Sequence, residues 1–347
     1  MARRPRGRRS CRRGDGRVAS AGSRAVSARL AVAIVAHSNR ALLLEALAAL
    51  TGPGSASEPC ELLVLDNASE DGTCAAVREA FPDVKLIEQP YRAGFGANHN
   101  RLLEQSTAEY HLVLNDDATV EPGAIDALVT YLDAHPEVAV AAPAVSYPDG
   151  RHQATSFRFP DPTTCLVSLV TLGQAGVEQR VTGAPAAVDW ASGCALLLRR
   201  SAIEITGPFD EGFYMFSEET DLQQRLHQRG FETHVVPQAV VRHHVRASTS
   251  ADPSRRIVEF WRSRRRYWAK HHAGFSGTTA RVALTGQYAA LSGLARLPTL
   301  PGPLRRLNPT LPRTELDLHV RNAREGATGP GLRESAAEWN AAHGVAP

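Results

Sequence analysis

From Leu30 onward the chain alternates short apolar runs with amphipathic stretches of helical period. LAVAIVAH opens the pattern, a Leu- and Ala-rich helix follows over Arg40 to Leu50, and ELLVLDNAS comes next. The same rhythm predicts a helix over Thr73 to Phe81, a strand VKLIEQ at 84 to 89, a helix within 96 to 106 and a strand YHLVLN at 110 to 115. A further helix is expected after Pro122, and VAVAAPAV at 138 to 145 reads as another strand. Strands built almost wholly of Val, Leu and Ile are apolar on both faces, so they predict an α/β fold with a mostly parallel central sheet flanked by helices.

After the turn at Asp149 and Gly150 the pattern loosens through 151 to 187, where Pro, Thr and Gly are frequent, and a variable region is expected there. Order returns with the strand-like DWASGCALLLRR, a short helix from Ser201, the loop GPFDEGFYMF, a helix from Glu218 to Arg229 and the strand THVVP. The main domain is expected to run from 30 to 250. Residues 251 to 347 are expected to form a C-terminal helical extension and tail: a basic, aromatic helix at 254 to 272, a second apolar helix at 277 to 297, and a Pro- and Gly-rich tail from 301.

A chain of 347 residues with 43% hydrophobic content can bury one large core, which excludes a purely disordered or fibrous protein. The formal charge of +3 hides an asymmetry, because residues 1 to 29 hold ten Arg and one acid, Asp15, so the remaining residues carry −6. That is the wrong sign for a nucleic-acid binder, and no nucleic-acid partner is expected. The first 29 residues lack an apolar signal core and read as a disordered basic tail, either a cationic arm for an anionic membrane surface or a solvated segment. The cysteines Cys11, Cys60, Cys74, Cys165 and Cys194 show no metal-ligand spacing, which fits structural thiols in a reducing cytoplasm.

The uncharged run Val282 to Ala295 counts 14 residues, short of the about 20 that span a bilayer. The basic helix is expected to pack on the core with its Arg face toward solvent or lipid head groups, and Trp261 and Trp268 with the surrounding Arg to anchor at an anionic interface, making the protein cytoplasmic and peripheral at the inner face of the membrane.

Three apolar strands end in polar clusters. Asn115, Asp116 and Asp117 close YHLVLN at the edge where open α/β sheets bind ligands, and their hard oxygens suit Mg²⁺ or Mn²⁺; an ordinary polar turn explains them equally well when taken alone. Asp66, Asn67, Ser69, Asp71 and Gly72 follow the second strand, where a carboxylate and an amide can bond a nucleobase or ribose, although a capped loop accounts for Ser69 and Asp71. In FSEETDLQQR the acids Glu218, Glu219 and Asp221 open a helix, either as simple dipole partners or with one of them as a general base. AVVRHH ends a further strand with His243 and His244, one of which can complete a metal shell. GFGANH at 94 to 99 lacks the third Gly of a dinucleotide fingerprint and follows no strand directly.

The order of VAIVAHSNR, LLVLDNASEDGT, GFGANHNRLLEQSTAEYHLVLNDDATVEPGAI, WASGCALLLRRSAI, GPFDEGFYMFSEETDLQQRLHQRGF and PQAVVRHH resembles family 2 glycosyltransferases over residues 30 to 270. SRRRYW and GPGLRESAAEWN resemble the C-terminal parts of actinobacterial rhamnosyltransferase-like members. Two departures stand out: Glu218-Glu219 replaces the usual Glu-Asp, and Asn115-Asp116-Asp117 replaces the usual Asn-Pro-Asp.

The resemblance implies a GT-A fold and an inverting, metal-dependent transfer with Mg²⁺ or Mn²⁺ as cofactor. It implies a nucleotide-sugar site at His37, Asn39, Arg40, Asp66, Asn67, Arg92, Asn100 and Asp116, and metal ligands Asp117, Asn115 and His243. It also implies Glu219 as the base among Glu218, Glu219 and Asp221, with Trp190, Gly193 and Asp210 on the acceptor side. Deoxythymidine-diphosphate rhamnose is the expected donor, and a polyprenol-linked or cell-wall glycan the expected acceptor. The alternatives are a sugar-nucleotide-binding protein that has lost turnover and a nucleotidyltransferase.

Overall fold

The computed structural model describes residues 28–244, 253–297 and 311–347. In chain order the first half comprises β1 (Leu30–Ala36), α1 (Arg40–Leu50), β2 (Cys60–Asn67), α2 (Thr73–Ala80), β3 (Lys85–Gln89), α3 (Phe95–Glu104), β4 (Tyr110–Asn115), β5 (Ala118–Val120), α4 (Ala124–Ala134) and β6 (Val138–Ser146). There follow β7 (Ser156–Phe157), α5 (Pro162–Thr171), β8 (Ala186–Val188), β9 (Trp190–Ala191), β10 (Ala195–Arg199), α6 (Arg200–Thr206), α7 (Glu218–Gln228) and β11 (Glu232–His243). The C-terminal helices are α8 (Pro253–His271), α9 (Phe275–Leu294), α10 (Arg313–Glu325) and α11 (Leu332–Ala342).

Among the described residues a nine-stranded sheet runs β3-β2-β1-β4-β10-β6-β11-β5, with β8 beside β11. β1 pairs in parallel with β2 and β4, β2 with β3, and β6 with β11. β10 is antiparallel to both of its neighbours. The fold is therefore the expected α/β, GT-A arrangement with a mostly parallel sheet. Its strands are apolar on both faces because both are covered: α1 and α4 send Leu43, Leu47, Leu128 and Leu132 onto one face, while α6 and α7 send Ile203, Leu222 and Leu226 onto the other.

Two local features aim the polar strand ends at one place. β4 stops at Asn115 and β5 starts at Ala118, so Asp116 and Asp117 form the turn between them. β11 shifts register between Val236 and Val240, past Pro237, before its last residues pair with β5 and bring His243 opposite Ala118. A proline cannot donate to the ladder, and the irregularity absorbs it.

The structure corrects three expectations. Residues 151 to 187 hold β7 and the helix α5, whose Asp161 accepts a bond from the Thr164 N–H ahead of a proline in the first turn. Trp261 and Trp268 are buried with Phe213, Tyr267, Ala280 and Ala323, so they do not meet lipid. The Arg of α8 face protein as well: Arg262 bonds Glu334 and the Ala327 and Gly329 carbonyls, Arg256 pairs with Glu315, and Arg266 with Asp210. Finally, the part of the supposed tail from 311 onward is folded as α10 and α11 against α8 and α9.

Cys60, Cys74, Cys165 and Cys194 are free thiols. No helix among the described residues is long and apolar enough to cross a membrane. Cys11, nearly all of the basic tail and the expected boundary near Ser250 lie outside the described residues.

Candidate active site

The ends of β1, β2, β4 and β11 open into a cavity of about 520 Å³. On one side, β1 and β2 are cross-tied through their loops. The His37 N–H donates to Asp116 Oδ2 (3.2 Å), its ring Nδ1 lies 3.0 Å from the Asn67 carbonyl, and Asn39 Nδ2 donates to Asp116 Oδ1 (3.3 Å). Asn67 in turn clamps Ala93, accepting from its N–H at 2.8 Å and donating to its carbonyl at 3.2 Å. Gln89 steadies that amide from β3, 3.0 Å away. Burial, followed by the Arg92 guanidinium, holds the His37 imidazole below its ordinary value, so it is neutral at pH 7.

Opposite stand the β4 and β11 ends. His243 Nε2 lies 3.1 Å from Asp117 Oδ1 and 3.2 Å from Asn115 Nδ2, while Gln153 packs its amide on the ring's Nδ1 at 3.0 Å. Burial pushes the Asp116 carboxyl up to about 7, against the bond from the His37 N–H, and the charge on Asp117 adds to the rise. Among the described residues no three His, Cys, Asp or Glu converge as a complete metal site. The donor set nevertheless fits a divalent cation with open positions: a carboxylate and an imidazole within hydrogen-bond distance on the cavity wall, with an amide beside them and space for phosphate oxygens.

The third wall is the start of α7. Phe216 and Ser217 both have left-handed backbones (φ 68° and 67°), which L side chains seldom adopt, and this strained turn swings Glu218 and Glu219 into the cavity. Gly193 makes room for them: a Cβ there would press on the Phe95 ring at 3.3 Å and lie 3.7 Å from the Glu219 Cβ. The Oε2 atoms of both glutamates are buried with no hydrogen-bond partner among the described residues.

Burial raises both carboxyls above their ordinary value, Glu218 well above because the Glu219 charge adds to it. At Glu219 the rise is opposed by its own backbone N–H and by the Arg264 guanidinium. Two buried carboxyls side by side resist ionising together, so the pair takes up a single charge before it takes up two. One carboxylate facing an open cavity is what a general base requires.

Of the residues singled out in the sequence, His37, Asn67, Arg92, Asn115, Asp116, Asp117, Gly193, Glu218, Glu219 and His243 share this cavity. Asn39 and Asp66 stand behind it, Asp66 accepting from the Ser69 N–H, and Arg40 ties its backbone to Asp71. Four others do not reach it. The Asn100 amide is spent on the Phe209 backbone and Glu211, Trp190 donates to the Arg158 carbonyl, and Asp210 is paired with Arg266 and Lys270. Asp221 points the other way, fully buried against Arg225, Lys270 and His271.

Sequence reasoning missed Gln153, Phe95, Arg256 and the α11 residues Leu332, Ser335 and Ala336, of which all but Gln153 line the cavity. The string GPGLRESAAEWN carried the only signal for the last three.

Residues 31–205 match the family model described as glycosyl transferase family 2. The chain belongs to glycosyltransferase family 2. Among its relatives is the N-acetylglucosaminyl-diphospho-decaprenol L-rhamnosyltransferase of Mycobacterium tuberculosis (strain ATCC 25618 / H37Rv), 30% identical over 262 residues, or 68% of this chain and 83% of that protein. The mannosyltransferase PcManGT of Pyrobaculum calidifontis, solved with GDP-Man and Mn²⁺, shares the fold with a TM-score of 0.56 at 17% identity, over 86% of this chain and 88% of its own. GalNAc-T7, solved with UDP, GalNAc and Mn²⁺, does so with a TM-score of 0.52 at 13% identity, over 92% of this chain and 59% of its own. This family 2 member is thus a nucleotide-sugar glycosyltransferase, and the cavity at the strand ends is its candidate active site.

Proposed function

We propose that the enzyme is a metal-dependent, inverting transferase in which Glu219 removes the proton of an acceptor hydroxyl as the sugar moves from a nucleoside diphosphate to that hydroxyl. The observation that carries this reading is the Glu218 and Glu219 pair facing the Asp117 and His243 pair across one cavity. A single carboxylate base suits one displacement at the sugar carbon, with inversion. Asp117, His243 and Asn115 would hold Mg²⁺ or Mn²⁺, which when bound supplies Lewis-acid stabilisation of the departing diphosphate. His37, Asn67 and Arg92 would hold the nucleotide, with Asp116 fixing the His37 backbone.

Rhamnose, carried on deoxythymidine diphosphate, is the proposed sugar, and a polyprenol-linked or cell-wall glycan the proposed acceptor; the similarity to the mycobacterial rhamnosyltransferase supports both. A cytoplasmic enzyme peripheral at the inner face of the membrane follows from such an acceptor. Apolar side chains exposed on α5 and α9 support it, with Val170 82% and Phe275 87% exposed.

Incubation with a panel of nucleotide sugars and Mn²⁺ tests the reading. Transfer releases nucleoside diphosphate; conversion to nucleoside triphosphate and sugar 1-phosphate when pyrophosphate is added would mark a nucleotidyltransferase, and neither reaction a binding protein.

A further inference from the structure

The C-terminal helix α11 crosses one side of the cavity and ends on Arg92. At its start the Arg333 N–H donates to Glu259 (3.3 Å) and the Arg333 guanidinium to the Gly212 carbonyl (2.7 Å). Its first turns then wall the cavity through Leu332, Ser335 and Ala336.

At its far end Asn340 is bonded twice to the Arg92 backbone, accepting from the N–H at 2.8 Å and donating to the carbonyl at 3.0 Å. The Arg92 guanidinium lies 4.2 Å from the centre of the Trp339 ring. Trp339 Nε1 donates at 3.1 Å to the same Glu70 oxygen that Arg92 Nη2 reaches at 2.6 Å. His343 also stacks on the indole, with ring centres 3.8 Å apart. The Arg92 Nε is buried with no hydrogen-bond partner among the described residues, a costly state for a guanidinium donor.

We propose that Trp339 and Asn340 are positioning residues for the donor: they act through Arg92, fixing its guanidinium and backbone at the nucleoside end of the cavity. The inference rests on the reading of Arg92 as a nucleotide-binding residue. A free arginine has many rotamers, and ligand binding must freeze one of them. Here the indole covers the guanidinium and Glu70 fixes its edge, so that cost is met within the folded chain.

The Glu70 carboxylate also balances the Arg92 charge. This end of the cavity therefore offers directional N–H groups to an uncharged nucleobase or ribose, while the diphosphate belongs with Asp117 and His243. The contacts of Trp339 and Asn340 at this end are to Arg92 and its partner Glu70, so their effect falls on donor binding.

The test uses the full chain, calorimetry with dTDP, UDP and GDP in Mn²⁺, and steady-state kinetics with the nucleotide sugar that turns over. Arg92→Ala is expected to weaken nucleoside diphosphate binding about tenfold, the scale of one desolvated cation–π or charged hydrogen-bond contact. Trp339→Ala should raise the donor KM by a similar factor while kcat falls less than about twofold, and Trp339→Phe should recover most of the loss because a flat ring is restored.

In the Arg92→Ala background Trp339→Ala should add nothing, since its effect passes through Arg92. Asn340→Ala, which keeps the indole and removes both backbone bonds, gives the same KM-only pattern should Trp339→Ala fail to fold. Wild-type affinity in both Trp339→Ala and Asn340→Ala, or additive losses in the double variant, overturns the proposal. Wild-type affinity in Arg92→Ala overturns the donor reading of Arg92 first, and the positioning role with it.

Discussion

Replacing Glu219 by Gln keeps the shape of the side chain and removes its ability to take a proton. Both glutamates line the cavity and both have an unpartnered Oε2, so position alone does not choose between them. Their surroundings do: the local backbone and the Arg264 guanidinium favour charge on Glu219, whereas burial and then the neighbouring Glu219 charge disfavour it on Glu218. General-base catalysis contributes about 10²- to 10⁴-fold, or roughly 3–5 kcal/mol of barrier. Glu219→Gln is therefore expected to lower kcat by about a hundredfold or more with donor affinity unchanged, and Glu218→Gln by only a few-fold.

The assay is nucleoside diphosphate release under saturating donor, repeated across pH. Since the base must be ionised, activity falls as pH drops through the Glu219 value, and burial places that limb above the ordinary range of a glutamate. Glu218→Gln should keep an acid limb, because the Glu219 base remains. Arg264→Met should move it to higher pH, because the cation opposing the rise is gone. Near-normal turnover in Glu219→Gln with a dead Glu218→Gln would refute the assignment, although the glycosyltransferase family would stand.

Asp117→Ala should abolish metal-dependent donor binding, and equal donor affinities in wild type and variant, each measured with Mn²⁺ and with chelator, would sink the metal assignment. Asp221 is fully buried and meets Arg225, Lys270 and His271 at 2.8 Å each, so Asp221→Ala should cost about 3 kcal/mol in urea unfolding by removing the one carboxylate on which these three side chains converge. Burial raises the Asp221 carboxyl but these partners outweigh it and hold it below its ordinary 3.8; its contribution is thus full above that value and lost as pH falls further, a loss that acid titration of the Asp221→Ala protein should not show. Val170→Asp with Phe275→Asp should abolish sedimentation with anionic vesicles while leaving turnover on a soluble acceptor intact; unchanged sedimentation would remove α5 and α9 from any membrane contact.

The sequence by itself determined the elements whose period is strong and local. α1 spans Arg40–Leu50 and β4 Tyr110–Asn115, the bounds that alternating Leu and Ala and the run YHLVLN predict. It also determined which strands end in acids, since a polar cluster after a two-faced apolar strand falls at the sheet's edge wherever the strand lies. The helix α5 was legible too, in the Asp161-Pro162 start, but Thr and Gly around it masked the period.

Only the tertiary structure decided what covers each face. A helix with Trp261 and Trp268 on one side and Arg on the other has the same pattern whether its aromatic side meets lipid or protein, and here α9 and α10 supply the protein. Asp221 and Glu219 lie two residues apart on one helix start, yet one is locked against α8 and the other faces the cavity. The bond from Arg92 to Asn340 joins positions 248 residues apart. Periodicity reports that a side chain will be buried; which distant partner buries it depends on how the whole chain closes, and no short window of sequence contains that.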